Sequence, residues 1–377
     1  MRHLTAKLWI VLFSFSLILP SLSTFLPIER IEIDNRRLVP PDLEWENMSD
    51  PTTILALLAY IRDASPVRAG LIKAAALIDY ELFGDSPAPN AVLVGEDGWL
   101  FERETIEGLC APGSVSPAAK NLIDTVRYLR ENGIKAMFTV APAKFSIHRD
   151  HLDPIQAELA ACAISNDRDL RDYLLGAGAD GYFDSWVLFE AIKAEGLDPY
   201  FKTDTHFNYL GSTRWIEMLV STLDPGIWEQ NAVVDRGQIE FIGNLMTLIG
   251  LGQRELVSHL VIDRGLPRVA SEQLHDRFSD EQTATEHFRA PEEVTLPLID
   301  GRTLMLKDSF MDIPMPSMAQ YFRDLTVTDW RSSDSIDFFV QNALSVDLIV
   351  IETSEDALIN RFRDRSLLEA LRTSAGD

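Results

Sequence analysis

Residues 118–148, AAKNLIDTVRYLRENGIKAMFTVAPAKFSIH, decide the fold of this 377-residue chain. Leu122, Ile123, Val126 and Leu129 recur at three- and four-residue spacing, which puts them on one face of a helix. Gly133 stands where that period ends, and a glycine there takes the left-handed backbone that closes a helix without steric cost. The run KAMFTVAP that follows is apolar without alternation, the pattern of a strand covered on both faces. A helix leading into such a strand is the repeating unit of a parallel α/β sheet.

Working outward, the same order returns in DLRDYLLGAGADGYFDSWVLFEAI (169–192), where Asp184 follows a short strand, and in IDFFVQNALSVDLIVIET (336–353), whose VDLIVIE is strongly β-branched. NAVLVGEDGWLFE (90–102) has two short apolar runs about a Glu96-Asp97-Gly98 turn, a hairpin pattern. RTLMLKDSFMD (302–312) predicts a strand that ends at Lys307-Asp308-Ser309. Ligands and catalytic groups gather at such carboxyl ends in open α/β sheets. The fold class expected is a three-layer α/β/α sandwich with a mostly parallel sheet, over residues 89–377.

Ahead of it, residues 28–88 predict a proline-punctuated linker and a helical segment, with Ile54, Leu57, Leu58, Ile61, Leu71, Ala75, Leu77 and Ile78 in helical period. Residues 1–27 begin with Arg2 and Lys7 and then run apolar from Leu8 to Pro27. That length can span the roughly 30 Å hydrocarbon core as an anchor, or serve as a secretory signal. Either way, the basic residues before the run leave the rest of the chain outside the cytoplasm. The expectation is a periplasmic protein tethered to the inner membrane by residues 8–27.

The formal net charge is −24, from 34 Lys and Arg against 58 Asp and Glu. Nucleic acid and anionic membrane surfaces are bound mainly through basic residues, so a nucleic-acid partner is excluded by charge. The two cysteines, Cys110 and Cys162, form no CxxC and no cluster with metal spacing, so neither a metal nor a cofactor is expected. They either close one disulfide or remain two buried thiols.

YFKTDTHFNYLGS (200–212) holds Asp204 and His206 two positions apart. A serine hydroxyl needs a base to take its proton, commonly a histidine oriented by a carboxylate. On an extended stretch, residues i and i+2 point the same way, which suits a carboxylate–imidazole bond. Ser309, at a strand end where backbone N–H groups can face an oxyanion, completes the set Asp204, His206, Ser309. The plain alternatives are that Asp204 caps the helix that follows and that Asp308-Ser309 is an ordinary turn. His148, His151, His259, His275 and His287 lie in polar segments and are expected to be solvated, as is the acidic run at 279–293.

Six stretches taken in order, NAVLVGEDGWLFE, APAKFSIHRDHL, YFKTDTHFNYLGS, GNLMTLIGLG, LKDSFMD and VDLIVIETSEDAL, resemble the successive motifs of one family. It is the SGNH-hydrolase-like domain of alginate and other exopolysaccharide O-acetyltransferases, and the resemblance covers roughly residues 88–360. It implies Ser309 as nucleophile, His206 as general base and Asp204 as its orienting partner. Asn244 and Lys144 fall in motifs near that family's active site, as tentative substrate or oxyanion residues. The implied reaction passes an acetyl group through an acetyl-serine to hydroxyls of an exported polysaccharide, with a membrane-bound O-acyltransferase as the acetyl donor. An esterase or a non-catalytic assembly subunit are the alternatives. Lys307, Phe207 and Asp356 replace residues that the family's pattern usually has as Gly, Trp and Arg.

Overall fold

A computed structural model of the chain describes Ser14 and residues 50–63, 66–110, 115–266, 285–330 and 332–376. The expected anchor at 8–27 and most of the expected linker lie outside the described residues. No helix among the described residues is long and apolar enough to cross a membrane. The chain divides into two units, Met1–Val94 with Ile242–Gln253, and Gly95–Phe241 with Arg254–Asp377.

The smaller unit contains helices α1 (Pro51–Asp63) and α2 (Pro66–Ile78). A π-turn at Asp79–Phe83 follows and is stopped by Gly84 at φ 69°. Strand β1 (Val92–Val94) and a short helix at Asn244–Leu248 complete it. Both predicted strands flanking the Glu96–Gly98 turn form, β1 in this unit and β2 (Leu100–Glu102) in the larger one.

The larger unit carries the sheet. Its longer helices are α3 (Arg103–Leu109), α4 (Val115–Glu131), α5 (Ala161–Gly176), α6 (Ser185–Ala194), α7 (Tyr209–Leu223), α8 (Ser333–Asn342), α9 (Glu355–Arg361) and α10 (Ser366–Ala375). Its further strands are β3 (Lys135–Ala141), β4 (Val233–Phe241), β5 (Glu255–Ile262), β6 (Glu286–Arg289), β7 (Ile299–Lys307), β8 (Phe322–Asp329) and β9 (Leu348–Ser354). Five of them form one sheet in the order β3-β9-β7-β8-β6. The first four run parallel, with Ala141 opposite Ser354 and Lys307 opposite Asp329, and β6 pairs antiparallel with β8. β4 and β5 form a separate antiparallel ribbon.

Local physics accounts for the pattern. In α4, Leu122, Ile123, Val126 and Leu129 are buried, and the helix packs on β3, α5, α9 and α10. Burying each such side chain is worth about 1.5–3 kcal/mol. Gly133 ends the segment at φ 84°, as its place in the sequence requires. All seven residues of β9 are buried, so both of its faces are covered. α8 packs against β7, β8 and α10, while α6 packs on β3 and α7 on α6 and β5. Cys110 and Cys162 form a disulfide with Cα atoms 5.5 Å apart, joining the end of α3 to the start of α5.

Three expectations change. The strand expected near residue 182 is a single parallel bridge, Tyr182 to Phe138, and Asp184 caps α6 by accepting from the Trp186 amide. The acidic run is not all loop, since β6 forms within it and Thr285 is buried; its first residues, 279–284, lie outside the described set. His148 is fully buried rather than solvated, its ring 4.0 Å from that of Trp99. Burial first, then the positive charges of Lys193, Lys144 and His151, push its pKa down to about 2. The residue is a neutral stacking partner.

Candidate active site

Because β3, β9, β7 and β8 are parallel, their carboxyl ends share one edge of the sheet, and Ser309 lies two residues beyond the end of β7. Asp308 shapes its turn. One carboxylate oxygen of Asp308 accepts from the Phe310 amide at 2.9 Å. The other accepts from the Ser354 amide and from Arg361 Nη1, both at 2.7 Å, and the Asp308 amide donates to Glu352 Oε2 at 2.9 Å. Asp308 thus ties β7 to the end of β9 and to α9.

The electrostatics of that knot are polarised. Burial pushes the Asp308 carboxyl up, but Arg361 and the Phe310 and Ser354 amides outweigh it, leaving its pKa below the ordinary value. Glu352 beside it is fully buried, and burial together with the Asp308 charge holds it well above the carboxylate range. Two neighbouring carboxyls are therefore driven apart, one charged and one held toward its neutral form.

Asp204 and His206 sit on the loop between α6 and α7. The loop is a compact turn rather than the extended stretch expected: Asp204 Oδ1 accepts both the His206 backbone N–H, at 3.0 Å, and His206 Nδ1–H, at 2.6 Å. Short polar side chains bonding the backbone two residues on are a recurrent turn device. Capping of α7 falls to Asn208, whose side chain accepts from the Leu210 and Gly211 amides. The plain alternative for Asp204 is thereby displaced.

The loop is held from below. Lys144, buried, donates from Nζ to the carbonyls of Lys202, at 2.7 Å, and Asp204, at 2.9 Å. The same ammonium lies 5.1 Å from the centre of the Trp99 ring. Glu255 of β5 accepts from the amides of Lys202 and Thr203, each at 3.0 Å. Burial, opposed by the charges of Glu255 and Asp204, pushes the Lys144 pKa down to about 7. A neutral amine keeps two N–H groups, enough for both carbonyls.

His206 Nε2 lies 2.9 Å from Ser309 Oγ, and the His206 ring meets Phe310 edge-on at 5.0 Å. Asp204 accepting at Nδ1 places the imidazole proton there and leaves Nε2 to accept from the serine hydroxyl. Burial lowers the His206 pKa, but the bond to Asp204 and the charges of Asp204, Asp308 and Asp312 outweigh it, so the pKa is raised. Asp204 is 5 % exposed. This arrangement can abstract a proton from Ser309 and return it, the requirement for acyl transfer.

Of the five residues singled out in the sequence, Asp204, His206 and Ser309 are in hydrogen-bond contact, and Lys144 touches their loop from beneath with its N–H groups turned to carbonyls. Asn244 opens the short helix of the smaller unit and is half-buried. The amides expected to face an oxyanion beyond Ser309 are engaged, that of Phe310 with the Asp308 side chain and those of Met311 and Asp312 with the Asp308 and Ser309 carbonyls. Arg361 and Glu352 carried no local signal; the strong β pattern of VDLIVIE was the sole hint, since a carboxylate within it had to be buried. Among the described residues, His148, Asp150 and His151 have metal-like spacing, their ligand atoms within 4.8 Å of one another. The Lys193 ammonium already bonds Asp150, at 2.7 and 2.9 Å, and His148 Nδ1, at 3.2 Å, so a cation of the chain occupies that corner.

The model of the family described as SGNH hydrolase-like domain, acetyltransferase AlgX, matches residues 80–282. The match takes in Lys144, Asp204, His206 and Asn244 and ends before Ser309. A "probable alginate O-acetylase AlgJ" of Pseudomonas aeruginosa is 29% identical over 145 residues, 36% of this chain and 34% of the relative. The aligned part thus spans about a third of that relative's length. Among solved structures, Bacillus cereus PatB1 aligns over 72% of this chain and 99% of its own, with TM-score 0.48 and 17% identity. The O-acetyltransferase domain of Pseudomonas putida AlgJ aligns over 75% and 99%, with TM-score 0.45 and 13% identity.

Proposed function

The chain belongs to the SGNH hydrolase-like domain family of acetyltransferase AlgX, and on that premise we propose that it is an extracytoplasmic O-acetyltransferase that modifies hydroxyls of an exported polysaccharide. The observation that carries the proposal is the continuous contact Asp204–His206–Ser309, at 2.6 and 2.9 Å. A non-catalytic assembly subunit has no need of this contact.

In the first half-reaction His206 Nε2 takes the Ser309 proton as Oγ attacks the acetyl carbonyl. The bond from that carbonyl to the donor's oxygen breaks, and the departing group leaves with the proton from His206. In the second, a sugar hydroxyl gives its proton to His206 and attacks the acetyl-serine. The ester bond to Ser309 breaks, and the serine oxygen recovers the proton. Asp204 holds the imidazole in the required tautomer and stabilises it while charged. A membrane-bound O-acyltransferase would supply the acetyl group. The inner membrane, by way of residues 8–27, would hold the enzyme near it. The disulfide supports a compartment outside the cytoplasm, since disulfides persist in oxidising surroundings.

The test is mass spectrometry of the protein after incubation with an activated acetyl ester. Wild type gains one acetyl group on Ser309; Ser309→Ala keeps the wild-type circular dichroism and gains none. Acetyl transfer that survives in Ser309→Ala would sink the proposal. An esterase would release acetate at a rate indifferent to added glycan, whereas a transferase shows acetate release giving way to acetylated sugar.

A further inference from the structure

We infer that Lys307 is a positioning residue for the nucleophile: its buried ammonium, staked by Asp329 of the neighbouring strand, grips Asp312 and clasps the two ends of the turn that presents Ser309 to His206. The inference rests on Ser309 acting as the nucleophile, as proposed above, and adds the device that sets its place.

Lys307 is the last residue of β7, and Asp312 closes the single 3₁₀ turn, Ser309–Met311, that follows. Within the turn the Met311 amide donates to the Asp308 carbonyl at 3.2 Å and the Asp312 amide to the Ser309 carbonyl at 3.1 Å. The hydrogen-bond geometry of a 3₁₀ turn is poor, so one turn does not hold its shape unaided. Asp308 fixes the first half, through the Phe310 amide and its ties to β9 and α9. Lys307 reaches the second half: its Nζ donates to Asp312 Oδ1, five residues on. Lys307 is itself held on two counts. Asp329 stands opposite it in the β7–β8 ladder, with Oδ2 3.2 Å from Nζ, and the Lys307 carbonyl accepts from the Trp330 amide at 3.3 Å.

Exposure separates this clasp from an ordinary surface pair. The Lys307 and Asp329 side chains are 7 % and 1 % exposed, and that of Asp312 is 49 % exposed. An ammonium taken out of water needs a compensating carboxylate, and the pair so formed adds little net stability. Asp329 already meets that need. The bond to Asp312 is additional, and its effect falls on geometry: it ties the far end of the turn to a buried point on the sheet. Ser309 lies between the two tied ends, and its Oγ is 2.9 Å from His206 Nε2. Reacting groups displaced by about 1 Å lose on the order of 100-fold in rate. A clasp that fixes the turn therefore acts on the rate of attack and leaves binding of the acetyl donor alone.

The experiment acylates the full chain with 4-nitrophenyl acetate in stopped flow, each protein at the pH plateau of its own profile. It reads the saturating rate constant for acetyl-Ser309 formation separately from the half-saturating ester concentration. Two variants release the grip by different routes. Asp312→Ala removes the exposed acceptor and keeps the buried Lys307–Asp329 pair. Lys307→Met combined with Asp329→Asn removes both buried charges together, so that neither is left unpaired. Each is expected to keep the wild-type circular dichroism and a half-saturating concentration within about twofold, and to acylate about 10–100-fold more slowly. If the double variant does not fold, Asp312→Ala decides alone. A wild-type rate constant in either folded variant, or a loss confined to the half-saturating concentration, would overturn the inference. Failure of the underlying role shows differently: the wild type itself then gains no acetyl group on Ser309, and the inference falls with it.

Discussion

The two halves of the candidate site are held by opposite means. The Ser309 turn follows β7, a strand paired on both sides, and its scaffold is a charged knot: Asp308 with Arg361, two amides and the neutral-leaning Glu352. The Asp204–His206 turn belongs to no strand of the main sheet. It spans two helices and is propped by backbone contacts from Lys144 and Glu255, with Lys144 drawn toward its uncharged form. A position fixed by strand pairing tolerates a buried charge pair beside it, because the sheet sets the geometry and the pair need only be satisfied. A position on a loop has no such frame, and its geometry is set by the props themselves.

The largest break in that comparison is expected at the imidazole. Asp204→Asn removes the acceptor that fixes the His206 tautomer, and kcat should fall on the order of 10³–10⁴-fold, as loss of the orienting carboxylate does in triads. The bond to Asp204 also helps to raise the His206 pKa, so the acid limb of the pH–rate profile should move to lower pH in the variant. A profile that does not move would separate Asp204 from His206 function.

Arg361→Met strikes the charged half. It leaves Asp308, 3 % exposed, as a buried charge without its cation, and the cost expected in denaturant unfolding is about 3–5 kcal/mol at neutral pH. Arg361 holds the Asp308 pKa below its ordinary value. Stability from that depression is present above the unfolded pKa of 3.8 and is lost as pH falls through the folded one. The gap between wild type and variant should therefore close in acid. A gap of constant size would mean that packing of Arg361 against Trp330, not its charge, supports the turn.

Lys144→Met probes the propped half and should have the smallest effect. The folded pKa of about 7 lies below the ordinary lysine value of 10.5, so the unfolded chain binds more protons between those values and wild-type stability rises with pH across that window. The rise is worth roughly 3 kcal/mol between pH 6 and 9, since it accrues over about two units above the folded pKa at about 1.4 kcal/mol per pH unit. The variant lacks it, so the substitution should cost more at pH 9 than at pH 6, read as Tm by calorimetry. The opposite trend would show that the ammonium, not the amine, holds the loop.

What could be read from the sequence was what is encoded locally. α4, Gly133 and β3 announced themselves because periodicity, a left-handed stop and an unbroken apolar run lie side by side. The strand before Lys307-Asp308-Ser309 was visible for the same reason. Pairing was not, since no local pattern says that β9 lies between β3 and β7. Arg361 is 53 residues from Asp308, and nothing near it marks the partnership. His148 was misjudged because its neighbours Arg149, Asp150 and His151 are polar, whereas its burial comes from Trp99, far upstream. The contact between His206 and Ser309, 103 residues apart, was an inference from the order of motifs until the fold placed their loops together.

The place of β9 bears on when the site can assemble. It lies between β3 and β7 in the sheet. Until residues 348–354 have left the ribosome and joined the sheet, the strand that delivers Ser309 has no ladder linking it to β3, and Asp308 has neither the Ser354 amide nor Arg361. A nascent or truncated chain ending before that strand has Ser309, His206 and Asp204 in its sequence, yet not the full frame that brings them together. A chain lacking residues 348–354 thus lacks the ladder that joins β7 to β3 and the amide that holds Asp308.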